Sequence, residues 1–134
     1  MVAKPGQILS AIHIDDTTVF ILMTHNYNYD LAILQQLLTK NLKYIGMLGP
    51  KTKLERMIHE IQSTNGALPV EQLAKLHSPV GLDIGAETPE EIALSILAEI
   101  KAVLTGRQGL SLHANTGAIH SRSELVMQTF LIKD

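Results

Sequence analysis

Two apolar runs too continuous to alternate place the tightest limit on how this chain folds. They are TVFILM at 18–23 and LKYIGML at 42–48. A half-exposed strand alternates apolar and polar residues, whereas a strand apolar on both faces belongs in a sheet covered on both sides. Between them, DLAILQQLLTK has apolar residues at 31, 33, 34, 37 and 38, close to helical spacing, and Asp30 is the expected cap. Strand, helix, strand in that order calls for parallel pairing, because the chain must travel back before the second strand begins.

The rest of the chain continues the alternation. Residues 1–17 read as irregular. GPKTKLERMIHEI predicts a second helix with Pro50 in its first turn, where the missing N–H would be unpaired anyway, and with Leu54, Met57, Ile58 and Ile61 on one face. STNGALP reads as a loop, PVEQLAKLH as a short helix, and SPVGLDIGAE as a loop with room for a brief strand. Thr88-Pro89-Glu90-Glu91 is a capping box with proline at the first helical position. The helix it opens runs through Ile92, Leu94, Ile96, Leu97, Ile100, Val103 and Leu104 to a stop at Gly106. Residues 107–123 read as loop, and ELVMQTFLI at 124–132 as a final strand. The expected fold is α/β, an open and mainly parallel sheet in a single domain across 1–134.

Composition removes several function classes. With 134 residues, no Trp, two Phe and three Tyr, the core must be built from Ile, Leu, Val, Ala and Met. The net charge is −2 and no basic stripe is interleaved with stacking aromatics, so nucleic acid is not an expected partner. The absence of cysteine excludes a disulfide scaffold, a thiolate metal site and a cysteine nucleophile within the chain. No apolar run approaches a membrane span and the N-terminus lacks a signal-peptide core, so the expected setting is the cytoplasm, not a membrane.

In open α/β sheets, ligands bind beyond the C-terminal ends of the strands. Three stretches fall there: Thr24-His25-Asn26, GMLGPK, and HSPVGLDIGAE. His25 suits a ligand contact, a general base or a metal ligand, and equally a turn histidine bonding a neighbouring carbonyl. Gly46 and Gly49 frame a strand-to-helix turn to which Lys51 or Lys53 could add charge for an anion. The turn lacks the third glycine of the dinucleotide fingerprint, and glycine also serves wherever a turn is merely tight. His77, Asp83 and Glu87, with His25, offer nitrogen and oxygen donors of the kind that hold a divalent cation. Their spacing matches no metal motif, so no metal centre is expected; Asp83 and Glu87 serve equally for backbone bonding and a helix start. The histidines at 13, 59, 113 and 120 form no constellation, and His59 beside Glu55 and Glu60 reads as a solvated face. No nucleophile elbow, P-loop or H-E-x-x-H is present, so no catalytic residue is named.

THNYNYD, YIGMLGPKTKLERM, LHSPVGLDIGAETPEEIALSILAEI and the looser GLSLHANTGAIHSR together resemble the C-terminal Rossmann-like domain of the XdhC/CoxI family. These are accessory proteins for molybdenum hydroxylases such as xanthine dehydrogenase and carbon monoxide dehydrogenase. The likeness spans residues 17–122. It implies a three-layer Rossmann-like fold and a chaperone-type role in enzyme maturation: holding molybdenum cofactor (molybdopterin), supporting its sulfuration and delivering it to the apo-hydroxylase. Carried over position by position, the motif residues are Thr24, His25, Gly46, Gly49, His77, Pro79, Gly81, Asp83, Gly85, Glu87, Thr88 and Glu90. Of these, Thr24, His25, Gly46, Gly49, His77, Asp83, Gly85 and Glu87 are the expected cofactor-binding set. Because Thr88 closes its own helix mouth to anions, Asp83 and Glu87 are expected to meet a pterin N–H or a cation rather than a phosphate.

The departures shape the expectation further. The family's opening strand and G-x-G-x-x-[GA] turn do not precede Thr18, so the sheet is expected without its first βα unit, and NAD or another nucleotide is the weaker ligand expectation. Asn26 stands where the family carries an acid, Pro50-Lys51-Thr52-Lys53 follows the second strand, and the family's separate N-terminal domain is missing. A sheet lacking its first unit exposes an edge, which makes a homo-oligomer the expected state. An accessory protein rather than an enzyme is the first reading. The alternatives are a nucleotide-dependent oxidoreductase-like domain and a degenerate interaction domain that works by oligomerising.

Overall fold

The computed structural model describes residues 3–114. In chain order these form α1 (Pro5–Ile8), a 3-10 turn (Leu9–Ala11), β1 (Phe20–Leu22), α2 (Tyr27–Leu38), β2 (Ile45–Met47), α3 (Lys51–Asn65), α4 (Val70–Ala74), β3 (Leu76–His77), α5 (Pro89–Leu104) and a second 3-10 turn (Leu112–Ala114). The two apolar runs supply β1 and β2, each tightened to its centre. β1 pairs parallel with β2, Phe20 opposite Ile45 and Leu22 opposite Met47. β2 pairs parallel with β3, Ile45 opposite Leu76 and Gly46 opposite His77. The strand order among the described residues is β1-β2-β3. The strand expected at 124–132 lies outside them.

Alternation along the strands sorts side chains into two layers. Leu22, Ile45 and Met47 bury against Ile33, Leu34, Leu37 and Leu38 of α2 and Met57 and Ile61 of α3, with Phe20 and Leu76 packed alongside. Tyr44, Gly46 and His77 fall on the opposite face, where the Tyr44 hydroxyl reaches Glu99 of α5. The fold is therefore three-layered: α2 and α3, the parallel sheet, then α5. Among the described residues no helix is long and apolar enough to cross a membrane.

Four local expectations are corrected. Asn26, not Asp30, caps α2, its side chain accepting from the Tyr29 N–H at 3.1 Å. Pro50 is the residue before α3 rather than part of its first turn. The short helix stops at Ala74, and Leu76 and His77 become β3. A five-residue helix holds little of its own stability, and the Ile45 N–H draws the Lys75 carbonyl into the ladder at 2.8 Å. The segment before β1 is not wholly irregular: α1 packs near α2, and the Tyr29 hydroxyl donates to the Ala3 carbonyl at 2.7 Å. The capping box of α5 forms as expected, Glu91 Oε2 accepting from the Thr88 N–H at 2.7 Å and Thr88 Oγ1 from the Glu91 N–H at 3.3 Å.

Candidate functional site

The turns that leave β1 and β2 share one cleft of about 370 Å³ at the C-terminal edge of the sheet, within the range of small-ligand pockets. Thr24, His25 and Tyr27 line it from the first turn; Gly49, Pro50 and Lys53 line it from the second. Met23 and Leu48 add exposed apolar surface at 53% and 38%.

Two of the lining residues share one buried partner. Thr24 Oγ1 donates to Asp30 Oδ1 at 2.6 Å, and Lys53 Nζ donates to Asp30 Oδ2 at 2.9 Å. Asp30 is fully buried, and a buried carboxylate persists only when paired and hydrogen-bonded. The lysine that sequence reasoning left free for an anion is therefore matched inside the protein. The Tyr27 wall is fixed too: its hydroxyl donates to Glu60 Oε1 at 2.8 Å, and the Arg56 guanidinium lies 4.6 Å from its ring centroid.

What remains open to an anion is the mouth of α3. α2 is capped by Asn26 and α5 by Thr88, but no side chain caps α3. Gly49, at φ 122°, brings the chain from β2 to that mouth, and Lys51 sits exposed at its first position. The Lys53 N–H donates to the Pro50 carbonyl at 3.0 Å, which leaves the N–H groups of Lys51 and Thr52 and the positive end of the helix dipole to face whatever lies there.

On the α5 face lies a second constellation. The rings of Tyr44 and His77 stack with centroids 4.5 Å apart and planes 18° from parallel. Glu99 Oε1 accepts from the Tyr44 hydroxyl at 2.7 Å and from the Gly81 N–H at 3.0 Å, and His77 Nδ1 lies 3.7 Å from it. Burial drives the Tyr44 pKa far upward, and the bond to Glu99 and its charge push the same way, so the phenol stays protonated. Burial lowers the His77 pKa, and the Glu99 carboxylate only partly opposes this. At neutral pH the imidazole is uncharged, and the group is a polar joint between α5, β3 and Tyr44, the residue that leads into β2.

The glycines of the expected set divide by cause. A Cβ on Gly46 would lie 2.6 Å from Val80 Cγ2 and 3.0 Å from the Tyr44 ring, so glycine there lets those two side chains close over the strand. Gly81, at φ 106°, would drive a Cβ into Ser95 Oγ; glycine is required where this segment crosses α5, with the Leu82 N–H donating to the Ser95 carbonyl at 3.1 Å. Asp83, Gly85 and Glu87 follow on an exposed loop, where the Glu87 N–H donates to Glu91 Oε2 at 3.0 Å.

The structure thus gathers Thr24, His25 and Gly49 in one cleft and puts His77 with Tyr44 and Glu99 on the α5 face. Asp83 and Glu87 line neither place. Among the described residues no group of three or more His, Asp or Glu is placed to hold a metal ion. Sequence reasoning gave Asp30 only a capping role and did not single out Tyr44 or Glu99. Two of them carried a signal: Asp30 precedes Ile33, Leu34 and Leu37 on one apolar stripe, and Glu99 follows Ser95 and Ile96 on the buried stripe of α5. An acid on the inner face of a helix must find a partner.

A sequence profile described as the XdhC Rossmann domain matches residues 2–100. A probable xanthine dehydrogenase subunit of Bacillus subtilis is 40% identical over 98 residues, 73% of this chain and 27% of that one. The molybdenum cofactor insertion chaperone PaoD of Escherichia coli is 31% identical over 97 residues, 70% of this chain and 29% of that one. The crystal structure of a xanthine dehydrogenase from Bacillus halodurans superposes with a TM-score of 0.65 at 37% identity, covering 81% of this chain and 31% of that chain. The chain spans less than a third of the length of each of these proteins.

Proposed function

The chain belongs to the XdhC Rossmann-domain family, and on that premise we propose that it is an accessory domain in molybdenum hydroxylase maturation, holding molybdenum cofactor in the cytoplasm and helping deliver it to the apo-hydroxylase. One relative, PaoD, is by name a molybdenum cofactor insertion chaperone. The observation that carries the reading for this chain is the cleft at the ends of β1 and β2, where the Gly49 turn meets the uncapped N-terminus of α3.

The cargo is a pterin that ends in a phosphate. The open mouth of α3, with Lys51 beside it, suits the phosphate; the mouth of α5 does not, because Thr88 and Glu91 already occupy it. In this reading Thr24 and His25 present polar groups to the pterin edge, and Tyr27 gives its ring a wall. Asp83 and Glu87, on an exposed loop outside the cleft, meet N–H groups of the cargo that project from it. Gly46, His77 and Gly85 shape the sheet and loop that carry those acceptors.

The test is to purify the full chain from cells that make the cofactor, oxidise what it carries and measure the fluorescent pterin product. The wild-type chain should carry pterin. Lys51→Glu and His25→Ala, both at exposed positions, should each lower the yield roughly tenfold, the loss expected when a charged or polar contact is removed. Pterin-free protein that instead binds NAD would overturn the reading.

A further inference from the structure

We propose that the outward face of α5 is a self-association surface that receives a second copy of this chain, antiparallel, across a two-fold axis. The inward face of α5 buries Ser95, Ile96 and Ala102. At 100° per residue, Leu94 and Leu97 point the other way. They stay 61% and 64% exposed. One turn before them is Glu90 and one turn after is Lys101, both exposed. The stripe Glu90, Leu94, Leu97, Lys101 has the four-three-four spacing of a helix-pairing seam.

What selects the occupant is the symmetry of that stripe. An axis crossing α5 between Ser95 and Ile96 sets Leu94 on Leu97 of the second copy and Glu90 on Lys101 of the second copy. The same axis sets Ala93 on Ala98, so small residues flank the seam where the two backbones come closest. An isologous interface must be self-complementary in this way, each position meeting its mate twice. A parallel second copy would instead bring Glu90 against Glu90 and Lys101 against Lys101, so charge selects the antiparallel pairing. The leucines supply the attraction and the end charges supply the direction. The surface lies on the side of α5 away from the sheet and does not depend on what the strand-end cleft holds.

Sedimentation equilibrium of the full chain over a wide concentration range is the test. The average mass should rise from the 14.7 kDa of one chain towards twice that value. Leu97→Glu, at an exposed position, should weaken self-association at least about tenfold, as truncating a central contact does. Glu90→Lys and Lys101→Glu should each weaken it, and the double swap E90K/K101E should restore it, with circular dichroism confirming that α5 is intact in each variant. A chain that stays monomeric at every concentration overturns the proposal. A dimer indifferent to Leu97→Glu, as one paired along the β1 edge would be, overturns it too, as does a double swap no stronger than the single variants.

Discussion

The cleft shows how one residue's charge is decided by another far away in sequence. Lys53 reads as a free cation beside a glycine turn, yet its ammonium is held by Asp30, which is fully buried and also accepts from Thr24. Lys53→Met would leave that carboxylate with one hydrogen bond and no counter-charge. Breaking a buried pair from one side costs about 3–5 kcal/mol, and because Lys53 keeps some solvent contact the lower end applies, about 3 kcal/mol, read from the urea midpoint. The same variant should change anion binding less than Lys51→Glu does, since Lys53 is already neutralised. Gly46 is the converse case, a residue whose lack of a side chain is what its neighbours use. Gly46→Ala would push a methyl into Val80 and Tyr44 and should cost about 1–3 kcal/mol by overpacking. Adding Val80→Ala should return part of that loss, because the two changes share one contact. A double variant no more stable than Gly46→Ala alone would move the cause from Val80 to the Tyr44 ring.

Among the elements, what was legible in the sequence is what is decided locally. The α5 capping box closes within four residues, so Thr88 and Glu91 announce it without help from the fold. Thr88→Ala should cost about 1 kcal/mol, the usual worth of such a cap, measured as a shift in thermal midpoint. The apolar periodicity of α2, α3 and α5 and the continuous runs of β1 and β2 were equally visible, because burial on one face or on both is written into the spacing. β3 was not visible. Two residues, Leu76 and His77, carry no period, and only the ladder to Ile45 and Gly46 makes them a strand. Asp30 was misread for the same reason: an acid near a helix start is a good local cap, and its true partner is 23 residues on. Of the candidate site, the strand-end turns with Thr24, His25 and Gly49 could be placed from the strand-helix alternation alone. The joint of Tyr44, His77 and Glu99 could not, because its members come from the approach to β2, from β3 and from α5, whose packing the sequence does not state.

For the whole molecule, that joint ties α5 to the sheet and makes the attachment sensitive to pH. Glu99 holds both the Tyr44 hydroxyl and the Gly81 N–H, and His77 stacks on Tyr44 beside it. Burial sets the His77 pKa below its ordinary value of 6.5, with Glu99 pulling only partly back. The unfolded chain therefore binds this proton more readily than the folded chain. Stability rises with pH wherever the unfolded state holds more protons, so His77 favours unfolding increasingly as pH falls below about 6.5 and has no such effect well above it. The slope is bounded at about 1.4 kcal/mol per pH unit for one proton. Urea unfolding from pH 8 down to pH 5 should show stability flat at the top and falling through this window, above the range where carboxylates begin to titrate. His77→Phe keeps a ring against Tyr44 but carries no proton, so its curve should stay flat where that of the wild type falls. Glu99→Gln removes the carboxylate that steadies a protonated imidazole, so its curve should fall more steeply than the wild type's. Wild-type and His77→Phe curves that run parallel from pH 8 to pH 5 would mean that the imidazole titrates alike folded and unfolded, and the joint would then be a packing contact with no pH sense.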